Sequence, residues 1–355
     1  MINYYQPWLL PILSVKKKRV PIGVKRYYYH SFEDALWDLL LKKRIKKGSI
    51  LLFPSFYCQD VLNNITNHGY KYVLYPLDAD FQISSHAFRK YLKIHKPAVV
   101  FIFHACGITS RLITDVSRDN YLPQNTIIIE DCVHRLVNPE NIRLFGDNHY
   151  VIDSLRKVSP LPGSCLYGTV QGLSFSQTST NPISKYVIVS SIYYLWFRLV
   201  LSISAIARVP SWTSWAHTYV LKKHDDIIGD SRVPYAGFPF ILNIFDRFNF
   251  HKVETRKTQQ VRLYEKYLKP IFTTYPFYKI RISKEDYGKL HVYPLGYSVT
   301  PNTQLEHYLY KKGIVVWFKF PDSKWSKKRG VLFLPLGFHI TEPDIEYMGE
   351  TLREL

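Results

Sequence analysis

Two stretches decide the fold: residues 97–107, "PAVVFIFHACG", and residues 125–134, "NTIIIEDCVH". Each holds an apolar run of strand length that closes in polar residues. A strand with one wet face alternates apolar and polar side chains, so an unbroken apolar run marks a strand covered on both sides. The segments upstream fit the same plan. "SFEDALWDLLLKK" reads as a helix, with Ser31 as N-cap, Asp34 three residues on, and Ala35, Leu36, Leu39 and Leu40 along one face. "GSILLFP" is a short buried strand, "YCQDVLNNITNHGY" a helix closed by Gly69, and "KYVLYPLD" the next strand. Buried strands alternating with helices predict an α/β fold, a mostly parallel sheet sandwiched by helices. In such a sheet, ligands gather at the carboxyl ends of the strands. Those ends carry His104, Gly107, Asp131, His134 and the loop from Ser154 to Lys157.

Bulk properties narrow the function. With 355 residues, 46% of them hydrophobic and 16% aromatic, the chain is long enough for a large unit and a smaller one. The pattern places their boundary near residue 250, as 1–250 and 251–355. Residues 248–268, "FNFHKVETRKTQQVRLYEKYL", read as a polar, amphipathic connecting helix. The formal charge of +19 favours an anionic partner. No zinc-finger spacing, RNP-type aromatic motif or Gly-x-x-Gly clamp accompanies it, which argues against a dedicated nucleic-acid module. Cys58, Cys106, Cys132 and Cys165 lie far apart and form no C-x-x-C pair, so no metal site is expected and a reducing cytoplasm is. The basic cluster from Lys16 to Arg19 follows a short apolar run, the reverse of a signal peptide's order. Residues 187–209 form the most hydrophobic stretch. It reaches the length of a membrane span, but Arg198 near its middle would oppose insertion by ~2.5–3.5 kcal/mol. A buried or interfacial helix is therefore expected there, with peripheral membrane contact and packing within the protein or its dimer both open.

The chemistry-bearing segments are four. "FPSFYC" and "FHACG" end two strands, "IIIEDCVHRL" ends a third, and "DSLRKVSPLPG" follows a fourth. An acid at one strand end, an imidazole three residues later and a lysine on the next loop all fall at one sheet edge. In this order and spacing they resemble the DegT/StrS-type sugar aminotransferases, members of the fold type I pyridoxal phosphate enzymes. "IIIEDCVHRL" looks like that family's E-D-A-x-Q/H segment, "DSLRKVSPLPG" its cofactor-lysine loop, "FPSFYC" its P-x-[FY]-T-x and "FHACG" its H-x-x-G. Near the C-terminus, "KKGIVVWFKFP" and "LFLPLGFHITEPDIEYM" look like its R-G-I-x-x-x-x-x-x-P and L-x-L-P-L stretches.

The resemblance implies a fold type I pyridoxal phosphate transferase with a small C-terminal α/β domain. Lys157 would hold the cofactor as a Schiff base and move the proton, and Asp131 would face the pyridine nitrogen. His134 would lie near the ring oxygen, and Phe56 or Tyr57 on the ring face. Ser31, Ser154 and helix N-terminal amides would hold the phosphate. It further implies a homodimer in which "GDSRVPYAG" reaches the neighbouring site, with Arg232 as the candidate contact. The implied reaction aminates a nucleotide-linked keto sugar from a glutamate-like donor, supplying polysaccharide or glycolipid. Sugar dehydration and amino acid transamination stay open. Where the family has a small glycine turn, this chain has Phe32, Glu33 and Asp34, whose negative charge would oppose a phosphate. That departure makes a non-catalytic or membrane-associated relative the alternative reading.

Overall fold

The structure, a computed structural model, describes residues 2–3, 13–119, 125–159, 161–177, 184–207, 209–229 and 233–355. Strand β1 (Ile2–Asn3) pairs in parallel with β11 (Ile314–Val315). The central sheet holds seven strands in the order β2-β8-β7-β6-β5-β3-β4. They are β2 (Val24–Tyr29), β3 (Ile50–Pro54), β4 (Lys71–Tyr75), β5 (Val99–Phe103), β6 (Ile127–Asp131), β7 (His149–Ile152) and β8 (Ser164–Thr169). From β4 to β7 every neighbouring pair is parallel. β8 runs antiparallel to both β7 and β2.

The two opening stretches became β5 and β6, and their unbroken apolarity has a direct cause. In β5, Val99, Phe101 and Phe103 enter one apolar cluster while Val100 and Ile102 enter another on the opposite face. β6 divides likewise, with Ile127 and Ile129 on one side and Ile128 on the other. The helices that cover these faces are α1 (Phe32–Lys42), α2 (Gln59–Asn67), α3 (Ser85–His95) and α4 (Arg111–Asp119), followed by the single turn α5 (Leu155–Val158). Ser31 does cap α1, accepting from the Asp34 amide at 3.0 Å. Gly69, just past α2, takes φ +84°, the left-handed stop its position requires.

A helical block then leaves the sheet: α6 (Lys185–Ala207), α7 (Pro210–Trp215), one π turn (Ala216–Leu221), α8 (Lys222–Gly229) and α9 (Pro239–Phe245). α10 (Phe250–Tyr267) leads to a three-stranded antiparallel sheet of β9 (Phe277–Lys279), β10 (Tyr293–Tyr297) and β12 (Gly330–Leu334), with α11 (Thr303–Lys311) and α12 (Glu342–Arg353). α10 is less solvated than its polar sequence implies. Lys257 and Gln260 are buried: Lys257 Nζ donates to the Leu290 carbonyl at 2.6 Å, and Gln260 donates to Gly337 and Ile340 carbonyls and accepts from the Gly337 amide. Their polar atoms are satisfied by loop backbone, which is how burial becomes tolerable.

Asp153, just past β7, gives a stability test. Its carboxylate accepts from the Cys165 amide at 2.7 Å and the Tyr167 hydroxyl at 3.3 Å. Burial outweighs these donors and pushes the carboxyl up from its ordinary 3.8 to about 7. A pKa raised on folding contributes stability that is complete below the unfolded value and is lost as pH rises through the folded one. Asp153→Asn should therefore stabilise the protein by about 1–4 kcal/mol at pH 8 in urea titration, with the advantage vanishing near pH 4. Equal effects at both pH values would mean that charge is not the cause.

Candidate active site

The carboxyl ends of β3, β5, β6 and β7 open onto one cavity of about 780 Å³. Tyr57, Phe103, Asp131, His134, Ser154 and Lys157 form its wall on the sheet side. The N-terminus of α1, with Ser31, Phe32 and Glu33, forms a second wall. The π turn and α8 supply His217, His224 and Asp225, and Lys319 and Phe320 close it from the C-terminal part of the chain.

Local backbone chemistry sets each group. After β6, the Val133 amide donates to Asp131 Oδ1 at 3.0 Å, which turns the chain and presents His134. Gly107 must be glycine: φ is +98°, and a Cβ there would lie 2.7 Å from the His134 carbonyl oxygen. Lys157 rides on the single turn α5, whose Leu155 is fully buried and whose amide at Leu155 donates to the Gly163 carbonyl. Gly163, at φ +96°, admits the Tyr28 ring, whose hydroxyl would stand 2.3 Å from any Cβ. Pro162, whose carbonyl accepts from the Tyr28 hydroxyl at 2.8 Å, and Gly163 thus hold the loop after α5 against β2.

The electrostatics are those of a dry site. Burial drives the Lys157 amine well below its ordinary range, and the positive charges of Lys319 and Arg156 drive it further, with Asp225 opposing. Burial also lowers the Lys319 amine, where Cys58 and Asp225 oppose the shift. Arg156 is ion-paired with Asp225, which clasps α8 over the lysine turn. Asp131 is pushed by burial up to about 7, against the Tyr57 hydroxyl and Val133 amide that donate to it. No cation bonds to it among the described residues. Burial likewise raises the Glu33 carboxyl, with Arg156 opposing. His134, lowered by burial and by Lys319, stacks on Phe320 at 5.5 Å, and its buried Nδ1 has no hydrogen-bond partner. Phe320 itself holds φ +46°, an unusual conformation for a bulky residue that aims Lys319 and the ring at this wall.

Beside the cavity, Glu130 accepts from His104 Nε2 at 2.7 Å and His149 Nε2 at 3.1 Å. His104, Glu130 and Cys132 stand close enough to share an ion. The Ser110 amide donates to His104 Nδ1 at 3.0 Å, however, which places the ring proton on Nε2 and leaves that atom no lone pair for a metal. The trio is a hydrogen-bonded brace for the ends of β5, β6 and β7.

No family model matches the chain, and no curated protein matches its sequence. Solved structures do match in three dimensions. Spr1654 from Streptococcus pneumoniae, described as a sugar aminotransferase and in its PLP form, superposes with a TM-score of 0.60 at 13% identity, covering 96% of this chain and 92% of that one. NtdA from Bacillus subtilis with bound PMP gives 0.61 at 12% identity, over 93% and 72%. 3-Amino-5-hydroxybenzoic acid synthase gives 0.61 at 10% identity, over 93% and 85%. The chain has the fold of the fold type I PLP aminotransferases.

The residues present fit the cofactor of that fold. A buried carboxylate that no cation among the described residues meets suits a protonated ring nitrogen, a half-buried amine with depressed pKa suits an aldehyde, and His134 Nδ1, with no hydrogen-bond partner among the described residues, has capacity to spare. Of the residues singled out in the sequence, Lys157, Asp131, His134, Tyr57, Ser154 and Ser31 all line the fold type I cavity. Ser31 is partly committed, since its hydroxyl donates to Asp34 Oδ2 at 2.6 Å. Phe56 lies behind the wall, packed on Phe81 and Trp325 at ring separations of 4.7 and 5.1 Å. Arg232 lies outside the described residues.

Lys319, His217 and the Arg156–Asp225 pair were not singled out in the sequence. No local pattern distinguishes Lys319 among 47 lysines and arginines. Its influence is testable. Lys319→Met should raise the pH midpoint for carbamylation of Lys157 by cyanate, read by peptide mass, by about one unit. An unmoved midpoint would remove Lys319 from the causes and leave burial and Arg156.

Proposed function

We propose that this protein is a pyridoxal phosphate-dependent aminotransferase that aminates a keto sugar carried on a nucleotide, taking the amine from a glutamate-like donor. The observation that carries this reading is the pairing, on one cavity wall, of a lysine whose amine is driven well below its ordinary range with a buried carboxylate that no cation among the described residues meets. When bound, the cofactor supplies an aldehyde carbon that exchanges amines and a ring that withdraws electrons from the neighbouring carbon. Lys157 Nζ, its amine driven well below its ordinary range, would hold the cofactor and would carry the proton to and from the carbon that gains or loses the amine. Asp131 would pair with the ring nitrogen and favour its protonated form, and the Tyr57 hydroxyl, which donates to the carboxylate, would hold it in place. The α1 N-terminus, with Ser31, and Ser154 would hold the phosphate. Glu33, which in the sequence opposes an anion there, meets the opposite charge of Arg156. Lys319 and Lys222 on the cavity wall suit the diphosphate of a nucleotide sugar.

This reading includes a homodimer in the cytoplasm. Within one chain, Tyr235 donates its amide to Asp34 Oδ1 at 3.0 Å, which holds Tyr235 against that chain's own α1. The product would serve polysaccharide or glycolipid synthesis. The test is a half-reaction: protein loaded with pyridoxal phosphate and given glutamate alone should release one equivalent of 2-oxoglutarate per site. The acids in the first turn of α1 favour one other reading, a scaffold that keeps the fold without the cofactor. Absence of keto acid release from glutamate, aspartate and alanine alike would favour it.

A further inference from the structure

The two faces of α6 meet different surroundings. Tyr194, Phe197 and Leu201 turn inward and pack on Ala216, Val220 and Leu221. Ile188, Ile192, Leu195, Trp196, Leu199 and Ile203 recur every three or four residues and stand exposed, Leu195 to 65%, Leu199 to 60% and Trp196 to 56%. That spacing makes one stripe along the helix. Trp212, Trp215 and Tyr219, from α7 and the π turn, are exposed as well. A continuous apolar face of this kind on a folded protein marks an interaction surface.

Charge decides what covers it. Between Asp153 and Asp225 the sequence contains no acidic residue, whereas Lys185 at the start of α6 and Lys222 and Lys223 at the start of α8 are exposed. A second copy docked on this face about a two-fold axis would bring Lys185, Lys222 and Lys223 of both copies together, with Asp226 the one exposed acid of α8 to meet them. A layer of anionic lipid headgroups has the opposite charge, and exposed Trp and Tyr side chains favour that layer. The helix is also tethered through its middle. Arg198 donates to the Tyr194 hydroxyl at 2.7 Å and to the Ser159 and Arg156 carbonyls at 3.3 and 3.4 Å. Lys185–Ser204 is long and apolar enough to cross a bilayer. Fastened to the lysine turn by Arg198, it lies along the protein surface with one face inward, the arrangement of an interfacial helix and not of a spanning one.

We propose that the outer face of α6, with the aromatic side chains of α7 and the π turn, rests in the headgroup layer of a membrane containing anionic lipid. α8, and the cavity it walls, then sit beside the membrane surface. The proposal is independent of amine transfer, so cofactor-free protein and the Lys157→Ala variant should bind membranes as wild type does.

The test is co-sedimentation of the full chain with vesicles of phosphatidylcholine alone or of equal parts phosphatidylcholine and phosphatidylglycerol. The protein should pellet with the mixed vesicles and stay in the supernatant with the neutral ones. The double variant Trp196→Ser/Leu199→Ser, which touches only exposed side chains, should partition on the order of a hundredfold more weakly while melting at the same temperature. Lys185→Glu/Lys223→Glu should weaken binding to mixed vesicles. Failure to pellet with mixed vesicles, or equal pelleting with neutral ones, would overturn the proposal. So would sedimentation velocity in which Trp196→Ser/Leu199→Ser converts a dimer to monomers, since a second copy would then be the occupant.

Discussion

Lys157→Ala should reduce release of 2-oxoglutarate from glutamate by at least about a thousandfold, because the group that moves the proton is gone. The loss should come without loss of fold. Lys157 is half-buried in the cavity wall, its amine is destabilised by desolvation and by Lys319 and Arg156, and removing it relieves that repulsion. The melting temperature should therefore hold or rise. A small amine such as methylamine added to the variant should restore part of the activity, since it can occupy the vacated space and carry the proton. A variant that melts earlier and is not rescued would mark Lys157 as a packing residue.

Asp131→Asn should be nearly as severe, on the order of a hundredfold to a thousandfold in turnover, because an amide cannot hold the ring nitrogen protonated. Cofactor affinity should fall with it. The cofactor-free protein should respond in the opposite direction. Asp131 is raised by burial from its ordinary 3.8 to about 7 on folding, so its stabilising contribution is complete below pH 3.8 and is lost as pH rises through 7. The Asp131→Asn substitution removes that penalty, so the cofactor-free variant should be more stable than wild type at pH 8 and no more stable near pH 4. Unchanged turnover in the loaded variant would remove Asp131 from the reaction.

Much of the architecture was legible because burial writes itself into local pattern. The apolar runs of β5 and β6 announced two covered faces, and Ser31 and Asp34 announced the start of α1. The positions of Asp131, His134 and Lys157 followed from strand ends, which parallel topology brings to one edge. Phe56 and Tyr57 show where pattern stops. They fall in the bend that follows β3, outside any strand period, so sequence alone does not set which of the two faces the cavity. Tyr57 faces it, and its hydroxyl reaches Asp131. Lys319 and Asp225 were illegible for another reason: they reach the cavity from elements about 160 and 70 residues away from Lys157 in the chain, and only tertiary packing brings them there. α10 misled because Lys257 and Gln260 look solvated in sequence, while in the fold backbone carbonyls satisfy them.

The most direct measurement is reductive trapping. The purified protein is mixed with pyridoxal phosphate, reduced with borohydride, digested and mapped by peptide mass. The expected result is a single modified peptide with the cofactor joined to Lys157 Nζ, absent in Lys157→Ala. Modification spread over surface lysines with Lys157 unlabelled would contradict the proposed function at its centre.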